Sequence, residues 1–73
     1  MKKVYELAED IVIAELSCSA DEVQKKSQDL ASLGFCAISR TQEVGKSSVS
    51  ICAVACTENT QRTIEEAGKL LFS

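Results

Sequence analysis

The sequence predicts an α+β fold, a small two-layer sandwich in which one antiparallel sheet carries two helices on one face. Three observations lead there. Two stretches with helical spacing, one from about residue 20 to 33 and one opened by Thr57-Glu58-Asn59-Thr60 and running to the end of the sequence, each begin with capping residues. Between them, Phe35 to Glu43 and Lys46 to Thr57 are rich in small and β-branched residues and carry no helical stripe. A glycine lies at the junction of these two runs, as a tight hairpin requires.

The first residues read two ways. Val4, Leu7, Ala8 and Ile11 have helical spacing, yet Lys3 to Ala8 reads equally as a strand that Glu9-Asp10 turns into the next one. Ile11 to Cys18 sets Val12, Ala14, Leu16 and Cys18 against Ile11, Ile13, Glu15 and Ser17, the alternation of a strand. Ser19-Ala20-Asp21-Glu22 then fits a capping box, opening a helix from Ala20 to Leu33. Asp21 with Lys25, and Glu22 with Lys26, are i,i+4 pairs in the favourable orientation. Val23, Leu30 and Ala31 share one face of this helix, with Leu33 at its edge. Gly34 supplies a left-handed stop, and Phe35 folds back as the apolar contact of a Schellman motif.

A type II′ turn wants glycine first, which places Gly45-Lys46 at the hairpin loop and sets Val44 opposite Ser47. Ile38 then meets Ala53 and Arg40 meets Ile51 on one face; Ala37 meets Val54, Ser39 meets Cys52 and Thr41 meets Ser50 on the other. Moving the loop to Val44-Gly45 changes the partners but not the faces. Cys36, Ile38, Val49, Ile51, Ala53 and Ala55 form the expected core face. Thr57 to Thr60 cap the last helix, with Ile64, Ala67 and Leu71 as its buried stripe and Gly68 allowing close approach. Arg62–Glu66 and Glu65–Lys69 decorate its outer side.

The certain elements read β-α-β-β-α, a ferredoxin-like βαββαβ unit without its last strand. An N-terminal strand joined by a tight hairpin would fill the vacant place. The preferred architecture is therefore ferredoxin-like in a circularly permuted order, ββαββα, with residues 1–73 as a single domain.

Composition removes much chemistry. The 73 residues contain no histidine, so histidine-activated nucleophiles and mixed Cys/His zinc sites are excluded within one chain. The net charge is −3, and none of the three aromatics (Tyr5, Phe35, Phe72) sits in a basic cluster, which argues against a nucleic-acid partner. The longest apolar run, Ile11 to Ala14, is too short to cross a bilayer, so no membrane partner is expected. Met1-Lys2-Lys3 leads into acidic residues rather than a signal-peptide core, and the expected location is cytoplasmic, with reduced thiols.

Gly45-Lys46-Ser47 ends like a phosphate-binding loop, but Arg40 occupies the place of the required earlier glycine and a strand follows instead of a helix. The four cysteines invite a metal reading. Cys52 and Cys56 lie on one strand face about 13 Å apart at roughly 3.3 Å per residue. Cys36 is expected to point into the core, so four ligands do not converge, and no metal or other cofactor is assigned. Cys18 ends a strand directly before a helix, where backbone amides lower a thiol pKa. Leu16-Ser17-Cys18-Ser19-Ala20-Asp21 resembles the metal loop of ferredoxin-like heavy-metal chaperones, which carry two cysteines separated by two residues. Asp21 stands where the second cysteine would be, and the family's preceding glycine and methionine are absent, so a packed structural cysteine is the expected role. Glu15 has no evident partner and is expected at a solvated edge.

The sheet face opposite the helices would display Ile11 and Ile13 from one strand and Ala37, Ser39 and Thr41 from another. Ser50, Cys52 and Val54 complete it. It has few charges and no base-stacking aromatics, which suits packing against another protein or a second copy as a homodimer. The expected function is a small non-enzymatic protein-binding module, a regulator or inhibitor docked on a larger complex, with no catalytic residues. Two alternatives are a degenerate metal or redox carrier using Cys18 and a small-molecule-binding regulatory domain.

Overall fold

A computed structural model describes residues 2–72. Strands β1 (Lys2–Ala8) and β2 (Ile11–Ser19) come first, followed by a single 3-10 turn (Ala20–Glu22) and helix α1 (Val23–Ser32). Strands β3 (Phe35–Thr41) and β4 (Ser48–Cys56) and helix α2 (Thr60–Phe72) complete the order. The sheet runs β1-β2-β4-β3, and every neighbouring pair is antiparallel.

Residues 2–8 therefore form a strand. Seven residues fall short of the roughly 12–15 that a helix needs to persist without strong packing. Pairing with β2 satisfies the backbone instead, with Val4 opposite Ala14 and Tyr5 opposite Ile13. Glu9-Asp10 makes the turn, and Asp10 takes φ 64°, a left-handed conformation that aspartate tolerates better than most residues. The Thr57 amide donates to the Asp10 carbonyl at 2.9 Å, tying this hairpin to the end of β4.

Alternate residues of β2 and β4 meet the helices on one face. Val12, Ala14, Leu16, Ile51, Ala53 and Ala55 are at most 2% exposed, and Leu30, Phe35, Ala67 and Leu71 close over them. Helix α2 packs across β1 and β2, and α1 across β3 and β4. In α2, Ala67 and Leu71 are fully buried while Ile64 and Gly68 are half-buried. The Asn59 side chain accepts from the Arg62 amide at 3.1 Å as the N-cap of that helix. Gly34 lies at φ 96°, its amide donates to the Ala31 carbonyl, and Phe35 beyond it is buried beside Leu30.

Five local expectations are corrected. The capping box does not form: the Ser19 hydroxyl donates to the Glu22 carboxylate at 3.0 Å, with no side-chain bond to the helix backbone. The tighter 3-10 winding of residues 20–22 also takes Asp21 and Glu22 out of i,i+4 register, and neither Asp21–Lys25 nor Glu22–Lys26 is among the ion pairs of the described residues. On α1, Ala31 is exposed and Ser27 is buried, because the inward stripe runs through Val23, Ser27 and Leu30 at spacings of four and three.

Cys36 does not enter the core. Phe35 faces Ala55 and Ala37 faces Val54, so Cys36 is the extra residue of a bulge. It is exposed, and its thiol donates to the Val54 carbonyl at 3.7 Å. Phe35 takes the inward place, since a phenyl ring removes more apolar surface from water than a thiol. Finally, the hairpin turn centres on Val44-Gly45 rather than Gly45-Lys46. The Lys46 amide donates to the Glu43 carbonyl at 3.1 Å, and Gly45 has φ 86° where a type II turn requires it. The pairs from Ala37–Val54 to Thr41–Ser50 stand as read from the sequence, so moving the turn to Val44-Gly45 leaves the partners unchanged, contrary to expectation, because residues 42–47 lie outside both strands and absorb the offset.

Two stability measurements follow from these details. The buried Ser27 hydroxyl has no hydrogen-bond partner, so Ser27→Ala should raise the unfolding free energy by about 1 kcal/mol in urea titration. An unchanged or lowered value would show that the hydroxyl is satisfied. Asp10→Val should lower stability by about 1–2 kcal/mol because a β-branched residue resists the left-handed region, whereas Asp10→Gly should cost little.

Candidate functional site: the open face of the sheet

Register places the eight expected face residues together. Tyr5, Ile13, Val54 and Ala37 form one row across all four strands. The next row is Lys3, Glu15, Cys52 and Ser39, and beyond it Ser17, Ser50 and Thr41 line up on three strands. Ile11, opposite Cys56, lies at the other end. No described element covers this face, since both helices pack on the opposite side.

The face has two unlike halves. Around Ile13 it is apolar: Tyr5, Ile11 and Val54 are half-buried, and Leu7, carried outward at the β1 bulge, is 61% exposed. Ile13 itself is only 7% exposed, because its cross-strand neighbours close over it laterally. Toward the β3–β4 turn the face is hydroxyl-rich. A depression of about 100 Å³ is lined there by Glu15, Ser17, Ser39, Thr41, Ser50 and Cys52, with the Leu16 and Ile51 positions beneath. A second depression, of about 220 Å³, continues toward Ser48, Glu43 and Lys46.

Glu15 is not at a solvated edge. It is half-buried on an inner strand, with Lys3 Nζ 3.9 Å away, an ion pair too long for a hydrogen bond. Lys3 also sits 5.5 Å from the centre of the Tyr5 ring. Lys3, Tyr5 and Leu7 are the residues that sequence reasoning left off this face. Their own alternation was the available signal, and it was obscured because Glu6, an inward-facing position of β1, is charged. Glu6 has its own reason: its carboxylate accepts from the Thr60 hydroxyl at the start of α2.

The thiols divide differently from the sequence expectation. All four are free; Cys36 and Cys56 are exposed, and Cys18 and Cys52 are half-buried. Among the described residues, no group of three or more His, Cys, Asp or Glu side chains is arranged to hold a metal ion. Cys18 packs against the core. Burial pushes its thiol pKa up and the Glu22 carboxylate adds to this, with Lys26 partly opposing. That direction is the reverse of what an activated thiolate needs. No helix of the described residues is long and apolar enough to cross a membrane. Comparison with protein-family models, curated proteins and solved structures found no match.

The Tyr5 phenol is raised as well, by loss of hydration first and then by the Glu15 carboxylate, through a hydrogen bond and its charge, and by Cys52. Folding therefore favours the neutral form of both Cys18 and Tyr5. Their contribution is fully present below the unfolded-state values, about 8.5 and 10, and is lost as pH rises through the higher folded values. The thermal midpoint should fall above about pH 9, and less so in Tyr5→Phe. Iodoacetamide at neutral pH should modify Cys36 and Cys56 first and Cys18 slowly, read by mass spectrometry of digests. Fast labelling of Cys18 would restore the carrier alternative.

Proposed function

We propose that the chain is a small non-enzymatic protein-binding module that docks through its open sheet face on a larger protein or on a second copy, as a regulator or inhibitor. The observation that carries this reading is the one-sided packing of the sheet. Both helices lie on one face, while the other keeps an uncovered apolar row in which half-buried Tyr5 and Val54 and exposed Ala37 accompany the buried Ile13. Apolar surface left in water across several strands gains free energy when a partner covers it, by about 25 cal/mol per Å². The absence of histidine, a residue central to much acid–base and nucleophilic catalysis, favours binding over turnover.

We also read the architecture as a ferredoxin-like sandwich in circular permutation. Strand β1 stands where that fold places its last strand, and the order β1-β2-β4-β3 is the one this permutation requires. The fold hosts many activities, so the reading of function rests on the face rather than on the topology.

Val54→Lys tests it. Val54 is half-buried in the middle of the row, and a lysine there can keep its ammonium in water without unfolding the sheet. The variant should retain the circular dichroism spectrum and thermal midpoint within a few degrees. It should lose self-association in light scattering across a concentration series, or lose capture of the partner recovered by wild type from the native host. Undiminished association would remove the open face from consideration.

A further inference from the structure

We infer that helix α1 is a lid, which opens on its own and bares the β3–β4 half of the core while the rest of the fold stays closed. The inference concerns the helix side of the sheet and does not depend on the open-face reading. Helix α1 has ten residues, Val23–Ser32, fewer than the roughly 12–15 that a helix needs to persist without packing. Its hold on the sheet therefore comes from its inward stripe. That stripe offers one fully buried aliphatic, Leu30, with Val23 half-buried and Leu33 half-buried just beyond the helix end. The remaining inward position is Ser27, 7% exposed, whose hydroxyl meets no hydrogen-bond partner. Opening returns that hydroxyl to water, so Ser27 favours the open state where a methyl group would favour the closed one.

The ends of α1 add little. No side chain caps its first backbone amides, because the Ser19 hydroxyl is spent on the Glu22 carboxylate. Lys25 and Lys26 occupy its first turn and Asp29 its last, each the sign that the helix dipole disfavours there. The favourably placed acids, Asp21 and Glu22, belong to the 3-10 turn ahead of it.

Helix α2 is the contrast. It has thirteen residues, is capped by Asn59 at 3.1 Å, and carries Lys69 in its last turn. Ala67 and Leu71 are fully buried, and the Thr60 hydroxyl donates to Glu6, fastening α2 to β1. The sheet also holds without α1, since β3 is paired to β4 through its own backbone from Ala37 to Thr41. Folded chains open first where buried apolar contact is sparse, and here that place is α1. Because α1 packs on β3 and β4, its departure uncovers Ile38, Val49 and Ile51 on their helix side. Cys18 stands opposite Val49 in the β2–β4 ladder, and the charges of Glu22 and Lys26 act on its thiol, which places it beneath the start of the lid.

Native-state hydrogen exchange, followed residue by residue by NMR, tests this. The amides of Ser27 to Ala31 should exchange at least about tenfold faster than the slowest amides of β2, β4 and α2, with a weaker dependence on added urea. Ser27→Ala should slow the α1 amides by about fivefold. Ile64→Val, which trims the core beneath α2, should speed the slowest amides by about fivefold and leave those of α1 unchanged. Cys18 gives an independent reading: its alkylation should slow in Ser27→Ala by the same factor as the α1 amides, while the exposed Cys36 and Cys56 react as before. Equal exchange of α1 and the slowest β2 and β4 amides, or acceleration of α1 by Ile64→Val, would make the molecule one cooperative unit and overturn the lid. Exchange of α1 and alkylation of Cys18 both unmoved by Ser27→Ala would overturn it as well.

Discussion

The nine-residue ladder between β2 and β4 governs the rest of the molecule. It runs without a shift from Ile11 opposite Cys56 to Ser19 opposite Ser48. Because side chains alternate strictly along a strand, one unbroken register assigns eighteen residues to a face in a single step. A slip of one residue would turn one strand over relative to the other, sending either Ala14 and Leu16 or Ile51 and Ala53 to the open face. The outer ladders are looser by comparison: β1 and β3 each carry an irregularity, at Glu6/Ala8 and at Phe35/Ala37.

Those irregularities show where packing overrides simple alternation. The centre of the sheet is floored by alanines, Ala14, Ala53 and Ala55, so the bulk needed to fill the layer comes from its margins. Leu30, Phe35 and Leu71 provide it from α1, the start of β3 and α2. Holding Phe35 inward obliges β3 to discard one residue, and Cys36 is the one displaced. The bulge on β3 and the small residues of the sheet centre are thus two sides of one volume requirement.

Most of this organisation was legible in the sequence, since it follows from short-range periodicity. The alternation of 11–18 and the pairing of Ala37 with Val54 through Thr41 with Ser50 could be written down from the residues alone. So could the left-handed stop at Gly34. What escaped detection depends on competition between distant groups. Alternation alone does not distinguish Cys36 from Phe35 as the inward residue, because both are apolar and adjacent, and the volume needed at the distant sheet centre decides between them. Ser19 and Glu22 have the residue types of a capping box, but the 3-10 turn joins them to each other. Glu15 looked solvated only while β1 was undecided. Once β1 flanks β2, the same glutamate stands on an inner strand, at the border between the apolar and hydroxyl-rich halves.

The two margins of the sheet are unequally guarded. Strand β1 carries Lys2, Lys3 and Glu6 along its length and lies under α2. Strand β3 carries one charge, Arg40, in seven residues, and its outer backbone groups face no neighbouring strand. Charged side chains and coverings are how proteins keep exposed strand margins from recruiting other chains. Any growth of this sheet by strand addition, whether ordered or as the first step of aggregation, would therefore begin at β3, and a single added lysine there would protect the molecule more than several on β1.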